Sequence, residues 1–230
     1  MADPGLSENE FRRLNLNQWT TVRDAWLPDR CWQQLHTDQQ IPARAPIYVG
    51  VDVGLIHDST AVVWAHKLED GRILLNCHVW SAHPDAPAHT HCRGGRVNLE
   101  QVEQFILQLA RDYKVKEVAY DPHFFARSAE LLERANRRLT LIEFLQASGP
   151  MADAYQGFYQ AALEGKLAHN SDPILTAHID ATVGQLTERG WKLRKLNKHK
   201  RMDATVAACL AVSRAQHHQT SKPGIWWMET

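Results

Sequence analysis

A carboxylate stands inside an almost continuous apolar run, IYVGVDVG, over residues 47–54. Runs this short and this apolar belong to strands buried on both faces. Asp52 in such a place is costly unless something replaces its lost hydration. A divalent cation would do so, and so would a hydrogen bond from a neighbouring loop. Gly50 and Gly54 bracket the acid and leave room for close approach. The chain must therefore build a core around a strand that carries an acid.

The segments after it alternate in a readable way. TAVVWAHKL reads as a second strand, EDGR as a hairpin turn on Asp70-Gly71, and ILLNCHVW as a third strand. A long loop rich in Pro, Gly and His follows. NLEQVEQFILQLARDYK is amphipathic, with Val102, Phe105, Ile106 and Leu109 on one face and Asn98 as its cap. VKEVAYD is a fourth strand, FFARSAELLERANRR a helix and LTLIEFL a fifth strand. MADAYQGFYQAALEG is helical and ends on glycine. DPILTAHIDATVGQLTER is expected to be helical, with Pro173 in its first turn. GWKLRKL reads as a short strand and MDATVAACLAVSRAQ as the last helix. The order βββαβαβ, followed by helices, is an α/β plan. A hairpin-linked antiparallel half joins a crossover-linked parallel half in a mixed five-stranded sheet, which is the RNase H-like arrangement. The expected organisation is a helical lead-in and linker over 1–45, a main domain over 46–217 and a loose tail over 218–230. The lead-in carries Trp19, Val22, Trp26 and Trp32 and closes on IPARAP. The tail holds Trp226-Trp227, read as a loose terminus over a partner-docking plug.

Composition excludes little. The 230 residues are 44% hydrophobic and 23% charged, with a formal net charge of zero. That suits one soluble α/β domain with an added segment. No apolar run approaches the roughly 20 residues of a membrane helix, and the N-terminus shows no secretory h-region. Four scattered cysteines without a CxxC pair fit a reducing compartment.

Two further acids share the strand-end logic of Asp52. Asp121 ends the fourth strand, where open α/β sheets place ligands, and reads equally well as a turn or helix cap. Asp203 opens the last helix. Alone it would be a first-turn acid facing the helix dipole. However, Asp203, Ala207 and Leu210 share a face, and Ala204, Ala207, Ala208 and Ala211 make the helix slim enough to lie close on a sheet. First strand, fourth strand and final helix together form a set that can clamp two Mg²⁺ or Mn²⁺ ions about 3.5–4 Å apart. Oxygen donors favour those ions over zinc.

At these residues the chain resembles a known family. VGVDVGLIHDSTAVV, EVAYDPHFF and KRMDATVAACLAVSRA are similar to the three acidic motifs of the large terminase subunit of tailed bacteriophages, and NLNQWT…W resembles the segment joining its ATPase and nuclease parts. The resemblance covers most of residues 11–217. It implies an RNase H-like endonuclease that cuts concatemeric double-stranded DNA during packaging, with Asp52, Asp121 and Asp203 as metal ligands. It also implies the small terminase subunit, the portal and an ATPase motor as partners, and the bacterial host cytoplasm as location. By the same resemblance Asp58 is a candidate fourth ligand, or else a turn residue. His178 is a candidate for orienting a carboxylate or phosphate, or else a satisfied core histidine. The chain departs from the family in lacking a phosphate loop: Gly165-Lys166 is followed by Leu167, with no upstream glycine at the right spacing. A nuclease-half fragment, a split gene product and a prophage remnant are the readings of that departure.

Residues 189–201 carry Arg189, Lys192, Arg194, Lys195, Lys198, Lys200 and Arg201 without one acid. A basic stripe running into Asp203 suits contact with a DNA backbone, and Arg194, Lys195, Lys198, Lys200 and Arg201 are the candidates. A solvated hairpin is the plainer alternative. His83, His89, His91 and Cys92 crowd one loop but match no standard zinc spacing, so a His-rich loop is preferred to a zinc site. Two other functions fit less well: another RNase H-like nuclease such as a junction resolvase or transposase, and a non-catalytic module that binds DNA or a portal.

Overall fold

The computed structural model describes residues 25–56, 58–145, 149–188 and 190–217. Trp19, Val22, Arg189, Trp226 and Trp227 therefore lie outside the described residues. The chain runs β1 (Pro46–Val53), β2 (Ser59–Lys67), β3 (Ile73–Ser81), β4 (Thr90–His91), α1 (Leu99–Asp112), β5 (Lys114–Tyr120), α2 (Pro122–Ala135) and β6 (Leu141–Glu143). It continues with α3 (Gly149–Leu163), β7 (Leu167–His169), α4 (Pro173–Asp180), β8 (Thr182–Thr187), β9 (Gly190–Lys195) and α5 (Asp203–His217).

β1 lies at the centre of the sheet, whose order is β4-β3-β2-β1-β5-β6. β1, β2 and β3 pair antiparallel, while β5 and β6 continue in parallel from the other side of β1. The expected five-stranded mixed core is present. Two short strands, β4 and β7, extend it by pairing with opposite ends of the outer edge of β3. β4 falls in the loop read from sequence as irregular.

Side chains alternate across the sheet, and this sorts the helices. On one face Ile47, Val49 and Val51 pack with Val102 and Ile106 of α1 and Phe125 and Leu132 of α2. On the other, Tyr48 joins Ala204, Ala207, Leu210 and Ala211 of α5 and Phe158 of α3. Gly50 and Asp52 share the Tyr48 face, so Asp52 points to the side on which α5 lies. A Cβ placed on Gly50 would stand 2.0 Å from the Ala207 carbonyl oxygen. Glycine is thus what lets the alanine-rich helix rest on the strand.

The stretch 173–190 departs from its helical expectation. Asp172 caps α4 by accepting from the N–H groups of Ile174 and Leu175, but the helix ends at Asp180. Residues 182–187 instead pair antiparallel with β9. β-Branched Thr182 and Val183 prefer extended backbone, and Gly184 opens a place for Trp26, whose ring carbon would stand 2.2 Å from an added Cβ. The Trp26 N–H donates to the Thr182 carbonyl. The described part of the lead-in packs into the domain rather than standing apart. Trp26 stacks on Phe158 and Trp32 on His169, at centroid distances of 5.4 and 4.0 Å. Ile41 and Ala45, from the segment read as a linker, are buried in the α1–α2 core. Among the described residues no helix is long and apolar enough to cross a membrane.

Candidate active site

β1 and β5 run parallel, with Gly50 beside Ala119 and Val51 beside Tyr120. Carrying that register one step further brings Asp52 and Asp121 to adjacent strand ends. Asp121 caps α2 by accepting from the His123 N–H at 3.0 Å, as the cap reading expected. α5 arrives over the same strand end and opens on Asp203, which is 6% exposed; Asp52 is 8% exposed. All three acids and Asp58 line one cleft of about 1070 Å³. Tyr155 and Trp191 form part of its wall, and Phe124 and Ile56 present exposed apolar side chains at it.

The electrostatics follow from burial. Desolvation drives the Asp52 carboxyl well above the usual carboxylate range, and Asp203, Asp58 and Asp121 push it further, against Lys195. Asp203 is raised to about 7, by burial first and by Asp58 second. Among the described residues no hydrogen-bond donor reaches the Asp52 carboxylate, so the alternative of a hydrogen-bonded loop finds no donor there. Asp203 is held by the Ser59 hydroxyl, a bond between residues too far apart in the chain to be read from local pattern. Two buried carboxylates that repel each other, one of them without a hydrogen-bond donor, are a ligand set suited to hard divalent cations.

Asp58 is engaged otherwise. It forms a close ion pair with Lys195 and lies 3.5 Å from the Arg201 guanidinium. Its Oδ1 also accepts from the Ser59 N–H at 3.1 Å. This divides the basic stripe. Arg194, Lys198 and Lys200 are exposed, as is Lys192, which the stripe contained and the candidate set omitted. Lys195 is turned toward Asp58, and Arg201 is buried with its guanidinium on the carbonyls of Lys198 and Lys200. The position of Arg201 differs from the expectation of an exposed phosphate contact: it braces the turn leading into α5.

His178 is fully buried and touches neither acid nor open cleft. Its Nδ1 accepts from the Ala204 N–H at 3.0 Å, which leaves the proton on Nε2, facing the Pro87 carbonyl at 3.4 Å. Burial lowers its pKa to about 4. It holds the first turn of α5 rather than a carboxylate, so it sets Asp203 through the backbone.

The histidine-rich loop contributes one group of potential ligands. Among the described residues, Cys77, His89 and Asp172 have donor atoms within 4.8 Å of one another. The bonds already made argue against a cation there. The His89 Nδ1 accepts from the Val79 N–H at 3.0 Å, so its proton is on Nε2 and is given to Asp172 at 3.0 Å. Asp172 is meanwhile occupied by two helix N–H groups and by Cys77, whose thiol burial pushes far up. The trio fastens the loop to α4.

Three comparisons bear on this arrangement. The family model for the terminase large subunit, endonuclease domain, matches residues 78–219. The large terminase subunit of Enterobacteria phage HK97 is 25% identical over 94% of this chain, and the match takes in 46% of that protein. This chain thus spans about half the length of that relative. The crystal structure of the HK97 large terminase superposes with a TM-score of 0.72 at 24% identity, covering 90% of this chain and 47% of that one. The nuclease of the large terminase from thermophilic phage G20c, solved with bound magnesium, gives 0.54 at 17% identity over 77% of this chain and 84% of that one.

Proposed function

The chain belongs to the family of the terminase large subunit endonuclease domain, and on that premise we propose that it hydrolyses phosphodiester bonds of double-stranded DNA with two divalent cations held by Asp52, Asp121 and Asp203. The observation that carries this reading is the convergence of two buried, mutually repelling carboxylates and a strand-end acid on one cleft. When bound, a pair of Mg²⁺ or Mn²⁺ ions supplies an acidified water and neutralises charge developing at phosphorus. Asp52 and Asp203 give such ions their charge-balancing ligands. Asp121 adds a third carboxylate from the neighbouring strand end. Asp58 holds Lys195 at the cleft wall, where the ammonium offsets acid repulsion. Arg194, Lys198 and Lys200, joined by Lys192, face solvent and give a DNA backbone its cationic contacts. The G20c nuclease, solved with bound magnesium and with bound cobalt, supports a divalent cation as the ligand. The partners that go with this function are the small terminase subunit, the portal and an ATPase motor, in the cytoplasm of the bacterial host.

Plasmid nicking and linearisation in Mn²⁺, Mg²⁺ and EDTA, beside Asp203→Ala, tests the activity. Cleavage in either metal, lost in EDTA and in the variant, is expected. Binding without cleavage in any metal, by folded protein, would transfer the function to a non-catalytic DNA-binding module. The basic stripe has a separate test by titration across salt. Lys198→Ala and Lys200→Ala should weaken binding alike on unrelated sequences and flatten the salt slope by about 0.9 each. A loss confined to one sequence contradicts backbone contact.

A further inference from the structure

One residue outside the acid set is bonded to two of the cleft's acids, Asp203 and Asp58, and to the end of β1. Ser59 is the first residue of β2 and is fully buried. Its hydroxyl donates to Oδ2 of Asp203, 144 residues away in the chain. Its N–H donates to Oδ1 of Asp58 at 3.1 Å. Its carbonyl accepts from the Gly54 N–H at 2.9 Å, two residues beyond Asp52. The Thr60 hydroxyl closes the same pinch by donating to the Gly54 carbonyl at 3.1 Å. Gly54 passes so near that an added Cβ would meet the Asp58 Cβ at 2.6 Å and the Ser59 oxygen at 2.7 Å.

The chemistry of these bonds is selective. A serine hydroxyl has one proton to give, and here it goes to a single oxygen of Asp203. That fixes the carboxylate's rotation and leaves its other oxygen as the one without a serine bond. A buried donor to an ionised acceptor is also among the stronger hydrogen bonds. Alanine at this position would keep the strand and its backbone bonds but leave Asp203 free to rotate toward Asp58.

We propose that Ser59 is the positioning residue of the cation site, orienting Asp203 through its hydroxyl while its backbone holds Asp58 and the end of β1. This rests on the nuclease reading above and deepens it. Groups that orient metal ligands in this way, when removed, weaken metal affinity by about 10–100-fold.

The test is Mn²⁺ titration by calorimetry on the whole chain, wild type beside Ser59→Ala, Ser59→Thr and Asp203→Asn, with DNA binding in EDTA measured on each. Wild-type binding that Asp203→Asn abolishes, that Ser59→Ala weakens by about 10–100-fold and that Ser59→Thr largely restores is the expected result. DNA affinity in EDTA should not change in Ser59→Ala, because a positioning role acts on the cation alone. Wild-type affinity in a folded Ser59→Ala overturns the proposal and leaves the nuclease reading standing. An equal loss of DNA binding overturns it in favour of a structural role. No Mn²⁺ binding by the wild type overturns the nuclease reading, and this inference with it. If Ser59→Ala does not fold, Ser59→Cys replaces it, keeping the volume with a weak donor. Affinity unchanged in that variant also counts against the proposal.

Discussion

A buried acid is a liability in the absence of its cation, and at Asp203 this has a sign that can be measured. Its pKa rises on folding to about 7 from an unfolded value near 4, because burial and Asp58 disfavour the anion. Folding therefore favours the protonated acid. The contribution is complete below about pH 4 and is lost as pH rises through about 7. At about 1.4 kcal/mol per unit, the loss is a few kcal/mol. In EDTA, the wild type should lose melting temperature between pH 5 and pH 8 relative to Asp203→Asn, and saturating Mn²⁺ should reverse the difference by stabilising only the wild type. Parallel profiles for the two proteins would mean that Asp203 titrates normally. The opposite sign belongs to His178, whose pKa falls to about 4, so its contribution is whole above about 6.5 and fades as pH drops. Comparing variants at one pH cancels it. The acids themselves were legible as residues out of place, Asp52 in an apolar strand above all. Ser59 was not, because nothing local distinguishes a serine that opens a strand from one that orients an acid 144 positions away.

The contact between α5 and β1 carries the geometry of the site, and it depends on small residues on both sides. Gly50→Ala would place a methyl 2.0 Å from the Ala207 carbonyl and 2.8 Å from the Ala211 nitrogen, both backbone atoms that cannot rotate away. The helix must lift or tilt, and overpacking of this kind costs about 1–3 kcal/mol. Because Asp203 sits on the first turn of that helix, Mn²⁺ affinity should fall with stability. Urea unfolding and calorimetry on the same preparation check both. A variant that loses stability but keeps metal affinity would show that the first turn is set by His178 and Ser59 alone. Strand order and the alanine face of α5 were readable because period and side-chain size are local properties. The hairpin of β8 and β9 was not. Its residues 182–187 include Thr182, Val183 and Gly184, weak helix formers each. However, the helical pattern running into them from Pro173 masked the change of period. What decides the matter is Trp26, which is remote in sequence and occupies the space over Gly184.

Across the whole molecule, the tryptophans before β1 tie the first described residues to the rest of the fold. They do so at two different places. Trp32 is 2% exposed, stacks on His169 and donates to the Thr176 hydroxyl at 3.1 Å, so it fastens β7 and α4. Trp26 is 3% exposed, stacks on Phe158 and meets Trp191 edge-on at 6.5 Å, and its ring fills the space over Gly184 of β8. The two therefore separate by function. Each, replaced by alanine, should cost about 3–5 kcal/mol as a large buried aromatic. Only Trp26→Ala removes the support under the hairpin that carries Lys192 and Arg194, two of the proposed DNA contacts. At a temperature where both variants remain folded, Trp26→Ala should weaken DNA binding and open residues 182–195 to proteolysis, while Trp32→Ala should do neither. Mn²⁺ affinity should survive in both, since the acids are mounted on β1, β5 and α5 and not on this layer. Equal loss of DNA binding in the two variants would place the basic face under global stability instead of under the Trp26 support.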